Sequence, residues 1–157
     1  MAKKLHKLLA KQEESLVDSI IAGLDESDAV HYRQVDPQLL RTQVARVVDA
    51  FLESLEGTPE SFVDFVRRLN EERLAEGYYL HEIQTALNVL DEKACAISLE
   101  HSAADKVDKH LLRISRTISL AKDQLALSYF LKRQEADTRV AALERRLQEL
   151  GKGTDQG

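Results

Sequence analysis

The sequence predicts an all-α protein, a single bundle of about five helices whose long last helix ends in a short coiled-coil-like seam. Three observations carry this. Gly and Pro total only eight of 157 residues, so long uninterrupted elements are expected. Leu, Ala, Glu, Lys, Arg and Gln dominate, all strong helix formers. Apolar residues recur at three- and four-residue steps, and no run alternates as a strand would. With 43% hydrophobic residues the chain has enough apolar surface for one core.

The first predicted helix covers about residues 3–23, where Leu5, Leu8, Leu9, Leu16 and Ile20 form a stripe broadened by Val17 and Ile21. Gly23 marks its expected stop. "LDESDAVHYRQVD" reads as a polar connection containing His31 and Tyr32. Asp36 is placed to cap the next helix, with Pro37 at its first position and Leu40, Val44, Val47, Val48, Phe51 and Leu55 on its inner face. "GTPE" at 57–60 then ends one helix and opens another.

That third helix places Phe62, Phe65, Val66 and Leu69 on one face, with Arg73 in line one turn further on. Gly77 closes it. A fourth helix from about Tyr78 to Glu100 turns Leu80, Ile83, Leu87, Leu90, Ala94 and Ile97 inward; Tyr79 shares that side and Tyr78 faces the opposite flank. The fifth begins near Ala104 with the stripe Val107, Leu111, Ile114, Ile118, Ala121, Leu125 and Tyr129. Leu112, Leu120, Leu127, Phe130 and Leu131 occupy another side. A helix apolar on two sides is deeply buried or shared with a second chain. Ala136, Val140, Leu143, Leu147 and Leu150 continue in 4–3–4–3 steps, the spacing of a coiled-coil seam. The expected organisation is a bundle over 1–131, a helical extension over 132–150 and a disordered tail over 151–157.

Net charge is −5, which argues against a general nucleic-acid binder. The single cysteine, Cys95, excludes an intrachain disulfide framework and fits a reducing compartment. Lys3, Lys4 and Lys7 imitate the start of a signal peptide, but "LVDSIIAGL" is interrupted by Asp18. No stretch approaches the about 18 apolar residues of a membrane span. A cytoplasmic protein is expected.

Chemistry is sparse. "HEIQT" at 81–85 starts like a zinc-protease motif, but Thr85 stands where a second histidine is needed, and His81 projects away from the Ile83 stripe. His101, Asp105 and Asp108 have helical spacing for a metal but straddle a helix boundary. His101 is also the least poor axial ligand for a haem, the requirement of a globin-like sensor. Cys95 borders an apolar stripe with no cation arranged to activate it. No phosphate loop or serine-nucleophile elbow occurs. The expectation is a chain with no catalytic residue, no bound metal and no cofactor; the alternative is a helical sensor that binds a small ligand or haem.

One stretch stands apart. In "RLNEERLAEGYYLHEIQTAL" Arg73 lies on an apolar stripe and needs a partner. An antiparallel turn would bring it to Glu82 in an Arg–carboxylate fork, with the Tyr79 ring buried beside the contact. Arg73, Tyr78, Tyr79 and Glu82 therefore form either a stapled corner or the wall of a ligand pocket. "FVRRLNEERLAEGYYLHEIQTALNVL", with its Arg73–x3–Gly77 step, Tyr78, Leu80, Glu82, Ile83 and Ala86/Leu87, resembles the N-terminal domain of RsbRD-type co-antagonists of the RsbT kinase. That helical domain also stands in front of bacterial histidine kinases and other regulators. "VVDAFLESLEGTPESFVDFVRRL" is similar to the family's preceding helix, break and next helix, although the first helix lacks the tryptophan of many relatives. The resemblance covers the input domain and not a kinase, phosphatase or STAS output domain. It implies a non-enzymatic bacterial signalling module working through protein contacts, with a kinase, STAS protein or sigma-factor regulator as partner. The surplus apolar surface of the last helix adds a homodimer, through Leu112, Leu120, Leu127, Leu131, Val140, Leu143 and Leu147.

Overall fold

Local caps decide where several helices begin and end. In the computed structural model, which describes residues 2–154, Asp36 accepts from the Gln38 and Leu39 N–H groups at 3.1 and 3.3 Å and Pro37 occupies the first turn. The described residues form α1 (Ala2–Ala10), α2 (Glu13–Glu26), α3 (Val30–Arg33), α4 (Pro37–Glu56), α5 (Pro59–Ala75), α6 (Leu80–His101) and α7 (Val107–Thr154), with no strand among them. The fold is all-α. It divides into two units, one reaching to Leu125 and the other beginning at Ala126.

The first expected helix is two. α1 ends at Ala10, Gln12 N–H turns back to the Leu9 carbonyl at 2.9 Å, and α2 restarts at Glu13. Neither Lys11 nor Gln12 is a helix breaker, so the break comes from packing: α1 lies on α4 and α6, and its Leu5 and Leu9 are fully buried there. Gly23 does not stop a helix either. It sits inside α2, and a Cβ added to it would lie 2.6 Å from Val89 Cγ2. Its missing side chain lets α2 close onto α6. The supposed polar connection contains α3, whose Tyr32 is buried together with the preceding Ala29.

The core of the first unit gathers Leu16, Ile20 and Leu24 of α2 with Val48, Phe51 and Leu55 of α4. Phe62 and Val66 of α5, Ile83, Leu87 and Leu90 of α6 and Ile114, Ile118 and Leu125 of α7 complete it. Phe51 and Phe62 meet edge to face at 5.5 Å, a favoured aromatic geometry that joins α4 to α5. The second unit is the remainder of α7. Residues 151–154, expected in a disordered tail, continue that helix, while 155–157 lie outside the described residues. No described helix is long and apolar enough to cross a membrane.

Candidate functional site: a buried carboxylate corner

The α5–α6 turn is built by backbone rules first. Gly77 has φ +93°, a left-handed conformation that side chains with a Cβ rarely adopt. Its N–H reaches the Leu74 carbonyl at 3.1 Å, and Tyr78 N–H reaches the Arg73 carbonyl at 2.9 Å. This pair of bonds is a Schellman motif, which commonly brings together the residue one past the glycine and the one four before it. Here they are Tyr78 and Arg73, and the guanidinium carbon lies 5.5 Å from the tyrosine ring centroid. The adjacent aromatic and the upstream arginine are thus parts of one helix ending.

α6 then begins without a short polar cap, since Tyr79 occupies that position. Glu82, three residues on, reaches back and accepts from Tyr79 N–H at 2.8 Å. It also accepts from His31 N–H at 2.7 Å and from His31 Nδ1 at 2.8 Å. The carboxylate is 0% exposed. Burial disfavours its charge, but the Tyr79 and His31 N–H groups and the His31 ring outweigh that and hold its pKa below the usual carboxylate range. The charge requires His31 to carry its proton on Nδ1. One side chain therefore caps α6 and ties it to α3.

Arg73 does not pair with Glu82. Its Nη1 donates to Glu76 at 3.2 Å within the same helical ending, and the Tyr32 phenol lies beside it. Burial works against the Arg73 charge, yet Tyr32 and Glu76 together raise its pKa. Burial in turn raises the pKa of Tyr32. In place of the expected fork, Glu82 takes three donors from Tyr79 and His31, and Arg73 turns to Glu76. The tyrosines are also exchanged relative to expectation: Tyr79 is 54% exposed, and Tyr78 packs half-buried against the core. The helical phase of α6 starts only at Leu80, so extending it backwards to Tyr78 inverted the two side chains.

The rings form a cluster. His31 stacks on Tyr78 at 5.1 Å and meets Tyr79 edge-on at 5.1 Å; Tyr32 meets Tyr78 edge-on at 4.8 Å. Behind them a cavity of about 20 Å³ lies among Tyr32, Gln43, Arg73, Leu24 and Ile83. Arg73 Nε and Gln43 Oε1 are buried without a partner among the described residues. That space suits a single water rather than a larger ligand. His31 and Tyr32, the residues that complete the corner, were not singled out from the sequence. The available signal was the apolar and aromatic run "AVHY" inside an otherwise polar connection.

The remaining candidates lie apart from this corner. His81 is exposed, with Nε2 3.3 Å from the Asp28 carbonyl. His101 sits exposed at the end of α6, 3.9 Å from Glu100, while Asp105 precedes α7 and Asp108 opens it. An exposed helix end does not supply the apolar pocket that an axial haem ligand needs. Cys95 is half-buried, and burial raises its pKa despite the nearby Ser115 hydroxyl, which keeps the thiol in its unreactive form. Leu112 and Leu120 are exposed in the first unit. Leu127, Leu131, Val140, Leu143 and Leu147 are exposed in the second.

These features define an all-helical module with a polar lock at a helix corner. No family model, curated protein or solved structure matches the chain.

Proposed function

We propose that the chain is a non-enzymatic bacterial signalling module of the RsbRD N-terminal kind, cytoplasmic, and active as a homodimer that contacts a kinase, STAS protein or sigma-factor regulator. One observation carries the reading. Val140, Leu143, Leu147 and Leu150 repeat at coiled-coil spacing and are between 53% and 69% exposed. Such a row is covered when two copies pair through the same residues. Leu127 and Leu131, half exposed on another side of the helix, widen the surface available to a partner.

The corner supplies the input end. Glu82 fixes the start of α6 to α3, and α6 is linked to α7 by Ser115, whose hydroxyl donates to Asp91 at 3.3 Å. Ser102 and His110 add a second link at 2.7 Å. A repacking at His31 and Tyr78 would shift α6 and, through these links, α7. Light scattering tests the pairing. The parent chain should be dimeric at tens of micromolar, and Leu143→Glu with Leu147→Glu should give helical monomers. A monomeric parent at that concentration excludes roughly micromolar affinity and defeats the reading.

A further inference from the structure

A pocket of about 470 Å³ lies in the first unit between α1, the α4–α5 break and the start of α7. Its size falls within the range of small-molecule sites. Lys106, Lys109, Arg113 and Arg116 follow 3–4–3 steps and all line it, against a single carboxylate, Glu60. The chain as a whole is acidic, so this concentration of positive charge is local.

Most of that charge is uncompensated. Lys109 and Arg116 form no ion pair among the described residues. Lys106 is crowded by a further cation, Lys4 of α1, and the contact lowers the Lys4 pKa. Arg113 is held in place: its Nη2 donates to the Leu55 carbonyl at 2.7 Å and to the Gly57 carbonyl at 3.3 Å, capping the end of α4. Its Nε is buried without a partner among the described residues. Leu112 and Leu120, spaced on the same face of α7 as these cations, give the pocket an exposed apolar lining, while Leu5 is fully buried. Leu112 and Leu120 thereby gain a role besides pairing.

We infer that this pocket binds a small amphiphilic anion, with a phosphate or carboxylate head held by Lys109 and Arg116 and an apolar body against Leu112 and Leu120. Cations interleaved with exposed leucines suit neither inorganic phosphate alone nor a neutral hydrocarbon. A nucleic acid fits poorly, because the described lining residues include no Phe, Tyr or Trp for base stacking and the acidic chain repels a polyanion.

Titration calorimetry of the full chain with hexyl phosphate, hexanol and inorganic phosphate tests this. Hexyl phosphate should bind at least roughly tenfold tighter than either half-ligand, and more weakly as salt rises. Lys109→Glu with Arg116→Glu, both exposed positions, should reduce hexyl phosphate affinity by about tenfold or more while circular dichroism stays unchanged. Equal binding of hexanol, or an undiminished double variant, overturns the proposal. Phosphatidylglycerol vesicles distinguish a lipid headgroup from a free metabolite. Binding to both vesicles and hexyl phosphate supports a pocket that also accepts a lipid, and binding to hexyl phosphate alone supports a soluble ligand. Binding to vesicles alone means adsorption by surface charge, and the pocket assignment falls.

Discussion

Two stretches of α7 carry the same pattern and meet opposite fates. Ile114, Ile118, Ala121 and Leu125 step by 4–3–4 and are fully buried. Val140, Leu143, Leu147 and Leu150 step by 3–4–3 and are more than half exposed. Helix propensity and spacing are alike, so neither explains the difference. The first stretch is covered by the side chains of the preceding helices, and the second has only its own helix within its unit. Apolar periodicity marks a face that needs covering, without saying whether the cover comes from the same chain.

The largest expected effect separates the two stretches directly. Leu125→Ala removes buried side-chain volume and should destabilise the monomer by about 2–5 kcal/mol. Leu143→Ala should change monomer stability by less than about 0.5 kcal/mol, because it removes an exposed group. Chemical unfolding at a concentration where light scattering finds the chain monomeric provides the measurement. Equal losses in both variants would mean that the second stretch is covered within one chain, and the contrast would disappear.

The same distinction governs what could be read from the sequence. Asp36–Pro37 and Gly57–Thr58–Pro59 were legible because helix-boundary signals are local: α4 begins under the Asp36 side chain, and α5 begins at Pro59 although the Thr58 side chain makes no capping bond. The break at Lys11–Gln12 was not, because it follows from where α1 packs. Gly23 looked like a stop because a sequence shows a missing side chain but not the approach of Val89, 66 positions along the chain. At the corner, Arg73, Gly77 and Tyr78 belong to one local motif, but the expectation put Tyr79 rather than Tyr78 beside Arg73, because it began α6 before Leu80. The partner of Glu82 was not, because His31 lies 51 residues away in a segment that looked like a loop.

Glu82→Gln should come second in size. The amide retains acceptor capacity at one oxygen only, and loses the charge that three donors converge upon. A loss of about 1–3 kcal/mol is expected in the first unit, measured by chemical unfolding. The pH dependence has a definite sign. The Glu82 pKa is lower in the folded chain than in the unfolded one, so its contribution is present above the ordinary glutamate pKa and disappears as pH falls through the folded value. The difference in stability between parent and Glu82→Gln should shrink in acid. A difference that persists undiminished at pH 2 would mean the charge is not responsible.

The smallest effect has the opposite sign and tests whether pH-dependent stability resides in the first stretch's own unit. Glu13 opens α2 beside Asp49 of α4; hydrogen bonding to Asp49, then burial, then the repulsion of that carboxylate push its pKa up to about 7. A negative charge in the first turn of a helix is ordinarily favourable by about 0.3–1 kcal/mol. Because the folded chain keeps this proton longer than the unfolded chain, stability should fall as pH rises from the ordinary value of 4.5 towards about 7. Glu13→Gln can still donate to Asp49 and cannot ionise. In the monomeric Leu143→Glu, Leu147→Glu background, its stability advantage should open between pH 4.5 and 7 and then level off. Partial exposure of Glu13 limits the gain to roughly a few tenths of a kcal/mol up to about 1 kcal/mol. Urea midpoints measured across that range decide it: a gap independent of pH removes the Glu13–Asp49 account, and a gap that opens only when the seam is intact would place the titrating contact in the dimer instead.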